Sequence, residues 1–199
     1  ILVRKQVEEL LTRYGSIDLL WFDGRITDAT GKVAISREQI LELQPGIIMN
    51  PRLHTKGDFR TYETHLNLKQ PTQEWAEFCD KWTYTWGYNS WARFRDNAKI
   101  LSDLARCRSL GINYLLSIGP DKNGELSPAA YKNIAEVADW MRIHRAAING
   151  SYPLPKGESA STFATASDNI RYLFRVPKYK KHSWKGPFPE DQAERKDEI

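Results

Sequence analysis

The chain has 199 residues, 41% of them hydrophobic and 27% charged with both signs interspersed; this excludes a wholly disordered chain and allows one sizeable core with part of a second domain. A net charge of +4 and a pI near 9.0 would suit an anionic partner, but the basic residues form no single cluster, and the excess around Lys178, Lys180, Lys181 and Lys185 reads as a solvated tail rather than a nucleic-acid footprint. Cys79 and Cys107 fit neither a zinc spacing nor a disulfide framework and are expected as buried free thiols, and no apolar run approaches the roughly 20 residues of a membrane span.

The chain starts at Ile1 rather than Met and runs directly into a helix pattern, so it reads as truncated at its N-terminus. Residues Val3 to Tyr14 are amphipathic, with Val7, Leu10, Leu11 and Tyr14 on one face, and Gly15 stops them. The apolar run Ile17–Phe22 fits a strand buried on both faces and ends in Asp23-Gly24. Ser36 and Gln39 carry a capping-box signature that opens a helix to Leu43, and Pro45-Gly46 breaks it. Gly46–Asn50 is the next buried strand, followed by a polar stretch to Thr64. Trp75–Trp82 fits helix or loop, and Tyr84–Asn89 a strand end running into a loop. Asn97–Leu110 is a helix capped by Gly111. Asn113–Ile118 is a strand, and Ser127-Pro128 opens a long helix to about Ala147. Beyond Gly150 the texture changes: Tyr152–Pro155 is a linker, and Thr162–Val176 suggests two strands joined at Ser167-Asp168-Asn169. From Lys178 onward no strand pattern is visible.

This alternation is that of a parallel βα architecture, in which functional groups gather after the strands. Asp23, Asn50 with Arg52, and Trp86 with Tyr88 would all lie at strand ends on one rim. A carboxylate following a buried strand is costly unless paired or functional, although Asp23 would serve equally as a turn residue before Gly24. His54 and His65 read as solvated loop residues.

Five segments in order carry a family resemblance. Leu20-Trp21-Phe22-Asp23-Gly24 resembles the nucleophile segment of the α-L-fucosidases of glycoside hydrolase family 29. Asn50-Pro51-Arg52 is similar to the family's Asn-x-Arg. Gly57-Asp58-Phe59-Arg60-Thr61-Tyr62-Glu63 resembles the segment carrying its acid/base. Trp86-Gly87-Tyr88-Asn89 and the run from Asn113 to Pro120, followed by Asn123-Gly124, resemble two further family segments. Departures are Tyr62 where Pro is frequent, a stretched Trp75–Cys79 segment, and Ser117 in place of a second Asn.

The resemblance implies an α/β fold: the C-terminal half of a (β/α)8 TIM-like barrel over residues 1–151, then a linker and an incomplete β-rich C-terminal domain over 152–199. It implies a retaining exo-α-L-fucosidase that removes terminal α-L-fucose from oligosaccharides or glycoconjugates by double displacement. Asp23 would be the nucleophile and Glu63 the acid/base, a pair that retaining enzymes hold about 5–5.5 Å apart. Arg52 would keep Asp23 ionised and bind a sugar hydroxyl, while Trp21 and Trp86 would wall the site. No cofactor or metal is implied, and no nucleic-acid or membrane partner. Family members are often secreted, periplasmic or lysosomal. A barrel needs about 250 residues, so open edges would favour self-association, and the competing reading is a non-catalytic carbohydrate-binding or inactive half-barrel. Another retaining barrel glycosidase also fits Tyr62 and Ser117.

Overall fold

The computed structural model describes residues 2–27, 30–72, 74–176, 183–186 and 194–198. The chain forms two compact units, Ile1–Thr61 and Tyr62–Ile199. Lys178, Lys180 and Lys181 lie outside the described residues, and Lys185 is exposed.

In the first unit, α1 (Leu2–Arg13) buries Val7 and Leu11, four residues apart, while Arg4 and Glu8 pair across its outer face at 2.7 Å. Leu10 and Tyr14, expected beside them, are exposed. Strand β1 (Leu19–Leu20) leads to α2 (Arg37–Leu43) and then to β2 (Ile48–Met49). The Ser36 hydroxyl accepts from the Gln39 amide while the Gln39 side chain accepts from the Ser36 N–H, so the capping box is complete. The Gln44 side chain ties three segments together: it donates to the carbonyls of Leu11 and Gly15 and accepts from the Ile17 N–H. β1 and β2 pair in parallel, Leu19 opposite Ile48, which makes β1–α2–β2 a crossover unit. Both strands are shorter than their apolar runs. The reason is local: at the ladder's end the Asn50 amide takes over, accepting from the Phe22 N–H and donating to the Phe22 carbonyl, each at 2.9 Å. The core is Val7, Leu11, Phe22, Ile35, Ile40, Ile47, Met49 and Leu53.

Strand β3 (Arg60–Glu63) falls in the stretch read only as polar; it spans the division between the units and opens the sheet β3-β4-β5. Residues 76–81 form strand β4 (Ala76–Lys81), which settles the helix-or-loop ambiguity and places Cys79 on a strand. Phe78 stacks on Tyr114 with ring centroids 5.8 Å apart, and packs with Cys107, Leu110 and Ile112. Helix α3 (Asn97–Ser109) begins at Asp96, whose carboxylate accepts from the Ala98 N–H. It ends in a Schellman motif: Ile112 N–H donates to Cys107 O and Gly111 N–H to Arg108 O. Strand β5 (Asn113–Ser117) pairs in parallel with β4, Phe78 opposite Tyr114. Ser127 caps α4 (Pro128–Ile148), with Pro128 in its first turn.

From Tyr152 the pairing becomes antiparallel. β6 (Tyr152–Pro153), β8 (Ala164–Ser167) and β9 (Ile170–Phe174) form a meander that β11 (Glu194–Glu198) joins in parallel beside β9. β7 (Ser159–Ala160) pairs with β10 (Trp184–Lys185). The β8–β9 hairpin turns through Asp168 at φ 48°, a conformation Asp tolerates. β10 and β11 lie where no strand was expected: Glu194–Glu198 reads Glu-Arg-Lys-Asp-Glu and has no apolar alternation to signal it. Both cysteines are buried, and burial pushes the Cys107 thiol up to about 12, too high to be a reactive thiolate.

Candidate active site

In the first unit the Asn50 amide holds the two strand exits side by side, and the residues following each exit converge. Arg52 Nη1 donates to Asp23 Oδ1 at 2.9 Å, and the same guanidinium lies 4.5 Å from the centre of the Trp21 ring. The Asp23 side chain is 85% exposed and that of Arg52 24%. The cation is thus fixed against an aromatic face while its carboxylate partner projects into solvent. Stacking on Trp21 holds the guanidinium plane, a role a flexible ammonium would fill less well. So exposed a pair contributes little to stability; what it fixes is the direction of one carboxylate oxygen. Asp23 lies three residues beyond β1 rather than at its last position.

The supporting residues were not singled out from the sequence. Asp58 Oδ1 accepts from Arg37 at 2.6 Å and Oδ2 from the Met49 N–H at 2.8 Å, while the Asp58 N–H donates to Met49 O at 2.8 Å. Asp58 therefore pins the chain, two residues ahead of β3, against β2. A Cβ on Gly57 would lie 2.6 Å from Pro51 N and 2.7 Å from Met49 O, so only glycine permits this approach. Gly57 and Asp58 stood inside a motif quoted for the acid/base, and a glycine beside a loop aspartate was the available signal. His54 is half-buried, not solvated: Nε2 lies 2.9 Å from Ile35 O and the ring packs edge-on to Phe22. His65 is exposed as expected.

The Arg37 hydrogen bond holds the Asp58 carboxyl below the usual carboxylate range, against the opposing effect of burial. A depressed carboxylate contributes stability above its unfolded pKa, about 3.9, and that contribution is lost as pH falls through the folded value. Asp58→Asn is expected to melt lower than wild type at pH 7, with the gap closing as pH falls below about 4. Melting temperatures across that range check this; a gap independent of pH would mean that the lost packing, not the charge, matters.

In the second unit Glu63 is the exposed last residue of β3. Thr64 follows at φ 60°, and its N–H donates to Cys79 O at 3.2 Å, tying this strand end to β4. Tyr62 packs on the cluster containing Leu66, Ala76 and Phe78, which explains an aromatic side chain beside the acid. Glu77 is the second residue of β4, opposite Asn113 and four residues before the strand's C-terminal end. Trp86 does not end a strand. β4 ends after Lys81: the Trp82 N–H makes the last bond to β5, donating to Ser117 O, and Thr83 turns away to bridge Phe94. Trp86 lies five residues further on, with the Lys81 ammonium 5.1 Å over its ring.

Beneath that loop Arg95 donates to Asp80 Oδ2 at 2.5 Å, to the Lys81 carbonyl at 2.8 Å and to Asp103 at 3.1 Å, and Lys99 also bonds Asp103. Burial disfavours the charge on Arg95, yet the bond and field of Asp80 raise its pKa above the ordinary value. A cavity of about 360 Å³ lies beside this network, lined by His65, Lys99 and Arg106 among others, but Arg95 and Lys99 are already paired within it. Of the expected site residues, Asp23, Arg52 and Trp21 thus form one cluster in the first unit, while Glu63 and Trp86 belong to the second. Among the described residues no cluster of three or more His, Cys, Asp or Glu could hold a metal, and no helix is long and apolar enough to cross a membrane.

Residues 2–146 match the family described as Alpha-L-fucosidase. The chain is 37% identical to human tissue alpha-L-fucosidase over 110 residues, which is 52% of this chain and 23% of that protein. It is 34% identical to the Bos taurus tissue alpha-L-fucosidase over 193 residues, 87% of this chain and 41% of that one. Among solved structures it is similar to alpha-L-fucosidase isoenzyme 1 from Paenibacillus thiaminolyticus, with a TM-score of 0.74 and 28% identity, covering 84% of this chain and 44% of that chain. The chain spans less than half the length of each of these proteins.

Proposed function

The chain belongs to the alpha-L-fucosidase family, and from that membership we propose that it carries the two working carboxylates of a retaining exo-α-L-fucosidase, Asp23 and Glu63. The substrate class is a fucosylated oligosaccharide or glycoconjugate ending in α-L-fucose. The observation that carries the reading is the Asp23–Arg52–Trp21 cluster: a solvent-facing carboxylate with one oxygen engaged by a fixed cation.

In the first step Asp23 Oδ2 attacks the anomeric carbon as the bond to the leaving oxygen breaks, and Glu63 delivers its proton to that oxygen. In the second, Glu63 takes a proton from water, the water oxygen attacks the same carbon, and the Asp23 carboxylate departs. Two inversions give net retention. Arg52 aims the Asp23 carboxylate and binds a sugar hydroxyl. Trp21 and Trp86 supply apolar wall to the 6-methyl group of fucose. Two carboxylates complete the sequence without a cofactor.

The same reading takes β1–α2–β2 and β4–α3–β5 as crossover units from the C-terminal half of a (β/α)8 barrel, with the boundary to a β-rich domain near residue 152, where antiparallel pairing begins. In such a half-barrel the inward strand face lacks a lid, and Leu115 in mid-β5 is 42% exposed. Association of two copies through that face or its edges would cover it. The exposure of both carboxylates supports the second reading, a chain that binds carbohydrate without turning it over.

Release of nitrophenol from an aryl α-L-fucoside tests the choice. Turnover with retained configuration at C1, and kcat lowered about 10²–10⁴-fold in Glu63→Gln toward a poor leaving group, is the expected result. No release from folded chain ends the claim that this chain is itself an enzyme.

A further inference from the structure

One side chain governs where Asp23 leaves its strand. β1 and β2 end at Leu20 and Met49, and a backbone bond runs from the Asn50 N–H to Leu20 O at 3.4 Å. Beyond it the fully buried Asn50 amide takes both polar groups of Phe22: Oδ1 accepts from the N–H and Nδ2 donates to the carbonyl, each at 2.9 Å. The partners fix which amide atom is which, because an N–H only donates and a carbonyl only accepts. A side-chain amide thus stands in for a peptide group and carries the pairing two residues past β1.

Both members of the Asp23–Arg52 pair hang from this clamp. Phe22 directly precedes Asp23, and Arg52 follows Asn50 by two residues. The bond from Arg52 Nη1 to Asp23 Oδ1 therefore closes a circuit through Phe22, the Asn50 amide and Pro51, in which proline stiffens one link. The Phe22 ring is held as well: His54 meets it edge-on, with Nε2 2.9 Å from Ile35 O. The outer side of the circuit is weak, because the Asp23 side chain is 85% exposed and a pair so open to water contributes little. The inner side is buried, where a hydrogen bond keeps its strength. Geometry is imposed from Asn50 outward.

We propose that Asn50 is a positioning residue for the nucleophile: its amide sets where Asp23 and Arg52 emerge relative to each other, and so aims Asp23 Oδ2 at the sugar. This role rests on the reading of Asp23 as the nucleophile. In Asn50→Asp an ionised carboxylate still accepts from the Phe22 N–H but sets a second acceptor against the Phe22 carbonyl. The protonated carboxyl has one acceptor and one donor and restores the pattern. Burial favours that protonated form. The charged groups around it, Asp23 with Arg52 and Asp58 with Arg37, are each paired with the opposite sign, so their fields largely offset.

The test uses the full chain labelled with fluorotryptophan, the Trp21 fluorine signal being identified by its loss in Trp21→Phe. The Arg52 guanidinium lies 4.5 Å from the centre of the Trp21 ring, so this signal reports its place, and Arg52→Gln gives the value with the stack lost. At about pH 7, Asn50→Asp is expected to move the signal toward that value. It should also lower kcat for an aryl α-L-fucoside about 10²-fold, with KM changed less than about threefold. Both should return toward wild type, compared at the same pH, as pH is lowered to about 5. Melting curves confirm that the variant is folded, and Asn50→Ser, held to the same signal and the same kcat-against-KM split, replaces it if it is not. A wild-type Trp21 signal in the folded variant overturns the proposal. So does a loss of kcat that is equal at both pH values, which would assign Asn50 to the fold alone. The fluorine signal needs no turnover: a wild-type chain that releases no nitrophenol sinks the enzyme reading, while the signal still decides whether Asn50 holds Arg52 in place.

Discussion

Asp23→Gly is expected to lower kcat/KM for an aryl α-L-fucoside by about 10³-fold or more, and sodium azide is expected to restore part of the lost turnover with β-L-fucosyl azide as product. The reasoning starts from geometry. Asp23 Oδ1 is held by Arg52, leaving Oδ2 to act on the sugar. Removing the side chain deletes the nucleophile and opens space on the face it occupied. Azide entering that space attacks C1 as the aryl oxide leaves, and a single inversion gives the β-azide. A carboxylate that only held a turn would give no such product. Folding should be unaffected, because an exposed ion pair contributes at most about 1 kcal/mol and Gly24, not Asp23, takes the positive φ of 93° at the bend. Arg52→Lys separates charge from orientation: it keeps the cation but loses the guanidinium plane over Trp21. A fall in kcat with melting temperature unchanged would assign Arg52 to aiming Asp23. Turnover of Asp23→Gly within about threefold of wild type, or rescue giving the α-azide, would remove Asp23 from the chemistry.

How much of this was readable in the sequence depended on whether the signal was local. The capping box at Ser36, the Gly111 stop after α3, the Ser127-Pro128 helix start and the Ser167–Asn169 hairpin are each set by residues within a few positions of one another, and all four are present in the structure. Strand β4 was ambiguous because its inward-packing positions include Asp80, a buried charge that breaks the apolar alternation and whose ion-pair partner, Arg95, comes fifteen residues later. β11 was invisible because parallel pairing with β9 forms it, and its sequence is wholly charged. At the site, Asp23 and Arg52 were found because their residue types suit the chemistry. Asn50 was named as a strand end, but its grip on the Phe22 backbone, like the approach of Gly57 and Asp58 to the backbone of β2, is a contact to main-chain atoms that residue type does not reveal. Trp86 was assigned to a strand end because its flanking aromatics look like strand; the Thr83–Phe94 bridge that turns it into a loop is a contact across ten residues.

The largest stability effect is expected away from the carboxylates of the site, at Glu158. Both its oxygens accept from Arg171, Oε2 from Nε and Oε1 from Nη2, each at 2.6 Å, and the two side chains are 0% and 2% exposed. The remaining guanidinium nitrogen donates to the carbonyls of Asp168 and Ile170 at the hairpin turn. All three guanidinium nitrogens of Arg171 are thus engaged, and the Glu158 bond raises the pKa of Arg171, so a proton will not leave to relieve a lost partner. Glu158→Ala strands a cation where water does not reach. The expected cost is about 3–5 kcal/mol, which for a chain of this size lowers the melting temperature by roughly 10 °C. Glu158→Gln, which keeps one acceptor and the shape, should cost less. Glu158→Leu combined with Arg171→Met should cost less than Glu158→Ala alone, because removing both charges removes the desolvation that the pair exists to offset. The cycle distinguishes two kinds of pair. A single-variant loss below about 1 kcal/mol would mean that water enters and solvates Arg171, and that the 158–171 contact orders the loop before β7 without holding the β8–β9 hairpin together. A large single loss with a small double loss would show that the pair serves to specify one arrangement of that hairpin while adding little net stability to it.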